Sequence, residues 1–301
     1  MKRLTLFFLL ICGTVVFSQL DPSYSFAHKI RSTINPAIVI LDDSVEINFI
    51  HRSSWIGFDD APSNQVMSFR SPINTGKIGL GASFSRDAFG PYKNTTISMD
   101  AGYKVPLELG KGNLIFSLDL SLSSVSFNIS ELQKIDERDP SLSISSNNRI
   151  LPNFGTGFIF QKNKCYVGIS IPQLLTNKLI SSDLEINQQR HVYIHGTFKK
   201  YFKNRYVWEP NIDIRVSEGL PFQAQITNVF EVDQTYSLGL MFRNADAVGI
   251  QLGYIFKQFG NINYAFDWSY NNKTFAYNYG SHELNLSFNL ALFETLGTTR
   301  L

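Results

Sequence analysis

Two histidines four residues apart, His191 and His195, form the pairing in this sequence that most resembles a metal site. On a helix that spacing brings two imidazoles to one ion. On a strand it leaves them on one face but roughly 13 Å apart, at ~3.3 Å per residue. No neighbouring carboxylate completes a ligand set, so no metal and no other cofactor is expected. Gly79-Leu80-Gly81 has the small residues of a phosphate loop, but no helix follows to supply its amides; small residues on a strand are the simpler reading. Asp42-Asp43 and Asp59-Asp60 read as acidic turn residues, since acid–base work by paired carboxylates needs a folded cleft. No serine stands in a Gly-x-Ser-x-Gly context. The chain therefore reads as a non-enzyme, with no catalytic residues to assign.

The elements that carry these residues are strands of an exported protein. Met1-Lys2-Arg3 is basic, Leu4 to Phe17 is almost wholly apolar, and Val16 and Ser18 flank a cleavage site before Gln19. Basic, apolar and small residues in that order make a signal peptide over 1–18, and the apolar run is short of the ~20 residues of a spanning helix. Cys12 raises a lipid-anchor alternative, which the bulky Ile11 before it disfavours. Cys165 is then alone, so no internal disulfide framework exists, and the thiol reads as a small apolar side chain.

The 301 residues are 44% hydrophobic, 14% aromatic and only 17% charged, with a net charge of +2. Soluble domains carry ~25% charged residues, so this surface is short of charge. The near-zero balance gives no reason to expect nucleic acid as a partner.

Apolar and polar residues alternate along most of the chain, which is the period of a strand. Near the C-terminus Tyr236, Leu238, Leu240 and Phe242 share one face, as do Val248 to Phe256, Ile262 to Tyr270 and Leu284 to Leu290. The reverse faces carry Asn261, Asn263, Asp267 and Ser269, then Glu283, Asn285, Ser287 and Asn289. Ten further runs lie upstream, from Val45–Arg52 to Phe222–Phe230, making about fourteen, an even number as in bacterial barrels. Runs of about ten residues suit a tilted membrane crossing better than a soluble sheet.

The connections alternate in length. The short ones are Ser71 to Gly76, Gln161 to Lys164, Glu231 to Gln234 and Gln258 to Gly260. The long ones are Ser53 to Asn64, Ser126 to Pro152, Pro172 to Arg190 and Asn271 to Ser281. Periplasmic turns are short and external loops long in outer-membrane barrels. The expected fold is thus all-β: one transmembrane antiparallel outer-membrane barrel over 19–301, ending in a short C-terminal tail.

From Asn35-Pro36-Ala37 and Trp55-Ile56-Gly57-Phe58-Asp59-Asp60-Ala61-Pro62 onward, the chain resembles the PorP/SprF family of the Bacteroidetes type IX secretion system. The likeness continues through Gly79-Leu80-Gly81, Asp87, Gly90-Pro91, Asn94-Thr95, Pro152 to Gly157 and Val167 to Leu175. It closes with Glu218 to Phe222, Phe242-Arg243, Asp246 to Val248 and Gly280 to Leu284. The tail Ala291 to Leu301 departs from the family pattern. The resemblance implies secretion or surface retention of cargo bearing a type B C-terminal domain, including gliding adhesins. It also implies a periplasmic peptidoglycan-binding partner for some members. Trp55, Gly57, Phe58 and Pro62 are the candidate partner-contact residues, since aromatic anchors carry interfaces; packing within the rim or the pore is their structural alternative. A porin or small-solute transporter remains the alternative function, because the inward faces of the strands are polar.

Overall fold

In the computed structural model, the residues described are 22–73, 76–128, 147–177, 188–203, 205–244, 246–256, 259–270 and 278–290. The leader 1–18 and the tail 291–301 lie outside them, as do 129–146, 178–187 and 271–277 of the long connections. The strands are β1 (Glu46–Ser53), β2 (Ser63–Ile73), β3 (Ile78–Phe89), β4 (Tyr92–Pro106), β5 (Asn113–Phe127), β6 (Asn147–Lys162), β7 (Cys165–Ile171) and β8 (His191–Phe198). They continue with β9 (Lys200–Phe202), β10 (Tyr206–Ser217), β11 (Gln223–Val232), β12 (Tyr236–Arg243), β13 (Ala247–Ile255), β14 (Gly260–Ser269) and β15 (Ser281–Asn289).

Neighbouring strands pair antiparallel, and β15 pairs with β1 from Glu46 opposite Asn289 to Ser53 opposite His282, so the sheet closes on itself. Closure leaves no free first or last strand to pair with another chain. β8 and β9 lie end to end along β10, with Thr197 opposite Asn211 and Lys200 opposite Trp208. The break falls at Pro210, which has no N–H for the ladder; Thr197 Oγ1 donates to its carbonyl instead, at 2.9 Å. As β8 and β9 form one stave, the barrel has fourteen, the expected number.

Strand lengths follow from pairing. Pro152 was expected to end the second long connection, yet β6 runs through it. Residues 147–155 pair only with β5, because pairing with β7 starts at Thr156. A proline on a stretch with one open side costs no ladder bond. Short connections close the other end of the barrel; in the two-residue turn Asn163-Lys164, Asn163, at φ +55°, takes the left-handed conformation that tight hairpins need.

Side chains alternate as the pleat requires. Leu118 is 69% exposed on the outside, whereas Asp119 beside it points inward and is 8% exposed. Leu252, Phe266 and Leu286 face outward, and Asn263 and Ser287 face the lumen, as expected. The lumen, however, is not simply water-filled. Residues 22–45 run down inside it before β1 begins.

Candidate functional site in the barrel lumen

The lumenal segment starts at the long-loop end. The N–H groups of Ser25 and Phe26 donate to the two oxygens of Glu283, at 2.8 and 2.9 Å. Ser25 Oγ donates to Asp267 at 2.6 Å and accepts from Arg52 at 2.9 Å. Gln225 and Gln251 both donate to the Ser25 carbonyl. Arg52 in turn lies 2.9 Å from both Asp267 and Glu283. Backbone and side chain of one residue are thus held by five strands, each of its polar groups buried and paired as a dry interior demands.

Midway down, Arg31 inserts into the opposite wall. Its guanidinium grips Asp213 bidentately, with Nε–Oδ1 at 2.8 Å and Nη2–Oδ2 at 3.0 Å. It also donates to the Tyr166 hydroxyl at 2.7 Å and to Asn211 at 3.1 Å. A planar fork that matches a carboxylate is the geometry arginine serves better than lysine.

Below it, Asn35 caps a short 3-10 turn, Pro36–Ile40. Its side chain accepts from the Ala37 N–H, and Pro36 supplies the fixed φ of a first helical position. Asn35 Nδ2 lies 2.8 Å from His195 Nε2, so the imidazole accepts there and carries its proton on Nδ1. The turn then lays Val39 and Ile40 against glycines. A Cβ built on Gly79 would lie 2.7 Å from Ile40, and one on Gly81 2.6 Å from Val39. One on Gly157 would collide with the Asn35 amide. The small residues of Gly79-Leu80-Gly81 are therefore the floor on which the segment sits.

The segment leaves at the short-turn end, where the Leu41 carbonyl accepts from Gln161 and Asp42 pairs with Arg70 at 2.9 Å. Burial pushes the Asp42 carboxyl up, but the charge and hydrogen bonds of Arg70 outweigh it and hold that group below its usual range. Apolar contacts bracket the polar ones. Phe26 and Ile30 cluster with Ile50, Val66 and Ala265 of the wall, and Ala37 to Ile40 cluster with Ile115 and Ile159.

Between the upper part of this segment and the wall remains a cavity of about 210 Å³. Ser83, Ser98, Asp100, Asp119 and Ser121 line one side of it, and His191, Arg215 and Gln223 line the other.

The residues singled out from sequence are dispersed. His191 and His195 share the inward face of β8, but His191 meets Ser217 and His195 meets Asn35. Asp42 and Asp43 lie in the turn below the lumenal segment, and Asp59 and Asp60 in the first long loop. Cys165 is exposed at the start of β7. Trp55, Gly57, Phe58 and Pro62 sit together at the long-loop rim, away from the lumenal bonds. There Trp55 packs edge-on against Phe89, with ring centroids 6.4 Å apart, and its N–H donates to Ser281. The Ile56 N–H donates to Gly280 and its carbonyl accepts from Tyr279, so the loop is tied to the start of β15. Phe58 and Gly57 stay exposed.

The lumenal segment itself escaped sequence reasoning. One signal was present: Ile50, Val66, Ile115 and Ile159 are apolar residues on otherwise polar inward faces.

A family model described as type IX secretion system membrane protein PorP/SprF matches residues 16–288. The chain belongs to that family. Its fold is similar to solved outer-membrane barrels. One is the outer membrane protein Omp33 of Acinetobacter baumannii, with a TM-score of 0.50 and 8% identity over 83% of this chain and 99% of that one. Another is the toluene transporter TbuX of Ralstonia pickettii, with a TM-score of 0.52 and 9% identity over 86% and 92%. At such identity the likeness concerns fold alone. No curated protein matches the chain. This PorP/SprF protein is thus an outer-membrane barrel of the type IX secretion system, and family and fold point to a structural or transport role rather than to catalysis.

Proposed function

We propose that this PorP/SprF protein anchors or helps export cargo with a type B C-terminal domain, such as a gliding adhesin, at the cell surface. The observation that supports it is the occupied lumen. A diffusion pore needs an open path, whereas here Ala37, Val39 and Ile40 are fully buried between segment and wall. A barrel filled by its own chain serves better as a mount, with the long loops outside and the short turns toward a periplasmic peptidoglycan-binding partner. In the loop Ser54–Pro62, Trp55 acts as internal support and Phe58, with Gly57 and Pro62 shaping the loop around it, as the contact offered to cargo. A few such anchors can supply most of an interface's energy.

Deletion of the gene tests the proposal. One cargo, or a few, should appear in the medium or be degraded while other type IX cargo is secreted normally. Phe58→Ala should weaken retention with barrel abundance unchanged. Normal surface retention of every type IX cargo in the deletion strain, with no paralogue present, would sink it. The transporter alternative draws on the polar cavity between segment and wall. A stable open conductance of the intact protein in planar bilayers would favour that alternative.

A further inference from the structure

Among the described residues, much of the charge in the lumen is matched between strands or between a strand and the lumenal segment. Asp213 meets Arg31, Asp267 and Glu283 meet Arg52, Glu46 meets Arg70 and Glu209 meets Lys199. Asp100 on β4 and Asp119 on β5 stand directly opposite each other in the ladder and point inward. They are 5% and 8% exposed, and among the described residues neither makes an ion pair. Like charges directly across a strand pair repel, and burial multiplies the cost. Such a pair must share either a proton or a cation.

Two observations select the cation. Asp119 Oδ2 is buried with no hydrogen-bond partner, and a proton shared through the other oxygens would leave it so. Both carboxylates line the cavity between the lumenal segment and the wall, so an ion and its water can reach them. Around the pair the donors are all hard oxygens: Ser98 and Ser121 face each other one inward step along the ladder, and Ser83 Oγ lies 2.7 Å from Ser98 Oγ.

We propose that Asp100 and Asp119, with the hydroxyls of Ser98 and Ser121, form a binding site for a divalent oxygen-seeking cation, calcium in the first instance. Carboxylate and hydroxyl oxygens without thiolate or imidazole select calcium or magnesium over zinc or copper. Calcium accepts irregular shells completed by water, which suits a site built on two strands facing a cavity. The ion would fasten β4 to β5 beside Gly81 and Gly102, where the lumenal segment packs.

The test uses the full-length barrel in detergent, stripped of metal and titrated with calcium chloride in a calorimeter. One saturable site is expected. Asp100→Asn and Asp119→Asn should each weaken it by about tenfold or more, because affinity follows the count of charged ligands. Both variants should keep heat-modifiable migration, and Asp59→Asn with Asp60→Asn should leave binding unchanged. Absence of binding by the wild-type protein, or binding retained in both variants, overturns the proposal. If the variants do not fold, infrared spectra of the wild-type protein decide. A calcium-induced shift of carboxylate bands supports the site, and a protonated-carboxyl band that persists at saturating calcium overturns it.

Discussion

At the scale of single residues, the lumen of this barrel behaves as a protein core and its outside as a lipid-facing surface. Arg31 and Asp213 illustrate the first. Removing one partner strands the other in a dry interior, which typically costs about 3–5 kcal/mol. Arg31→Ala and Asp213→Ala should each destabilise the barrel by that order in urea titrations. The double variant should cost less than the sum, because the two residues share one interaction. Leu252 illustrates the second: it is 56% exposed on the outer face, and Leu252→Arg should cost about 2–4 kcal/mol if it lies at mid-membrane. From sequence alone, replacing Asn263 should cost far less, as a residue facing water. Its amide in fact donates to Asn285 at 2.8 Å in the filled lumen. Asn263→Ala should therefore cost about 1–3 kcal/mol, because it removes the shorter of the two hydrogen bonds to the buried Asn285 oxygen and leaves a gap in the filled lumen. Refolding titrations of both variants compare the two faces directly.

At the scale of elements, the strands were legible in the sequence and the lumenal segment was not. Alternation marks a strand because its side chains meet two different media, and in β12 to β15 the contrast between outside and inside is nearly complete. Residues 25–40 are enclosed by the wall on all sides rather than set between two different media, so no period of two or of 3.6 is imposed on them. Their imprint lies elsewhere, in Ile50, Val66, Ile115 and Ile159 on the wall and in the glycines of β3. Each breaks the expected pattern singly, and only the fold shows that they face one another. The rim residues were legible as a loop, but their division of labour was not, since Trp55 reaches Phe89 only once β3 is in place. A prediction follows from the glycine floor. Gly81→Val should displace Val39, because even the first added carbon would lie 2.6 Å from it. The barrel should persist while the segment loosens, giving new protease cleavage within 22–45 and a conductance above that of the wild-type protein. Unchanged protection would mean the segment tolerates the added bulk by shifting.

At the scale of the whole molecule, the two ends differ in a way that predicts orientation. Long connections gather at the end where β1 finishes, and tight turns such as Asn163-Lys164 gather at the end where it starts. Outer-membrane barrels keep the short turns in the periplasm. In a Cys165→Ser background, Asp59→Cys should react with an impermeant maleimide on intact cells, and Lys164→Cys should react only after the outer membrane is opened. The reverse pattern would turn the molecule over.

The position of Ser25 has a consequence for how such a chain is assembled. Its bonds run to Glu283 on the last strand and to Arg52 on the first, across the seam where the ring of strands shuts. The ends of that seam are more than two hundred residues apart, and bringing them together is the slowest kind of contact a chain can make. A stretch synthesised before any strand thus acts as a clasp between the first and the last. Threading and sealing become a single event, and a barrel that shuts without its clasp leaves Arg52 and Glu283 deprived of their common partner.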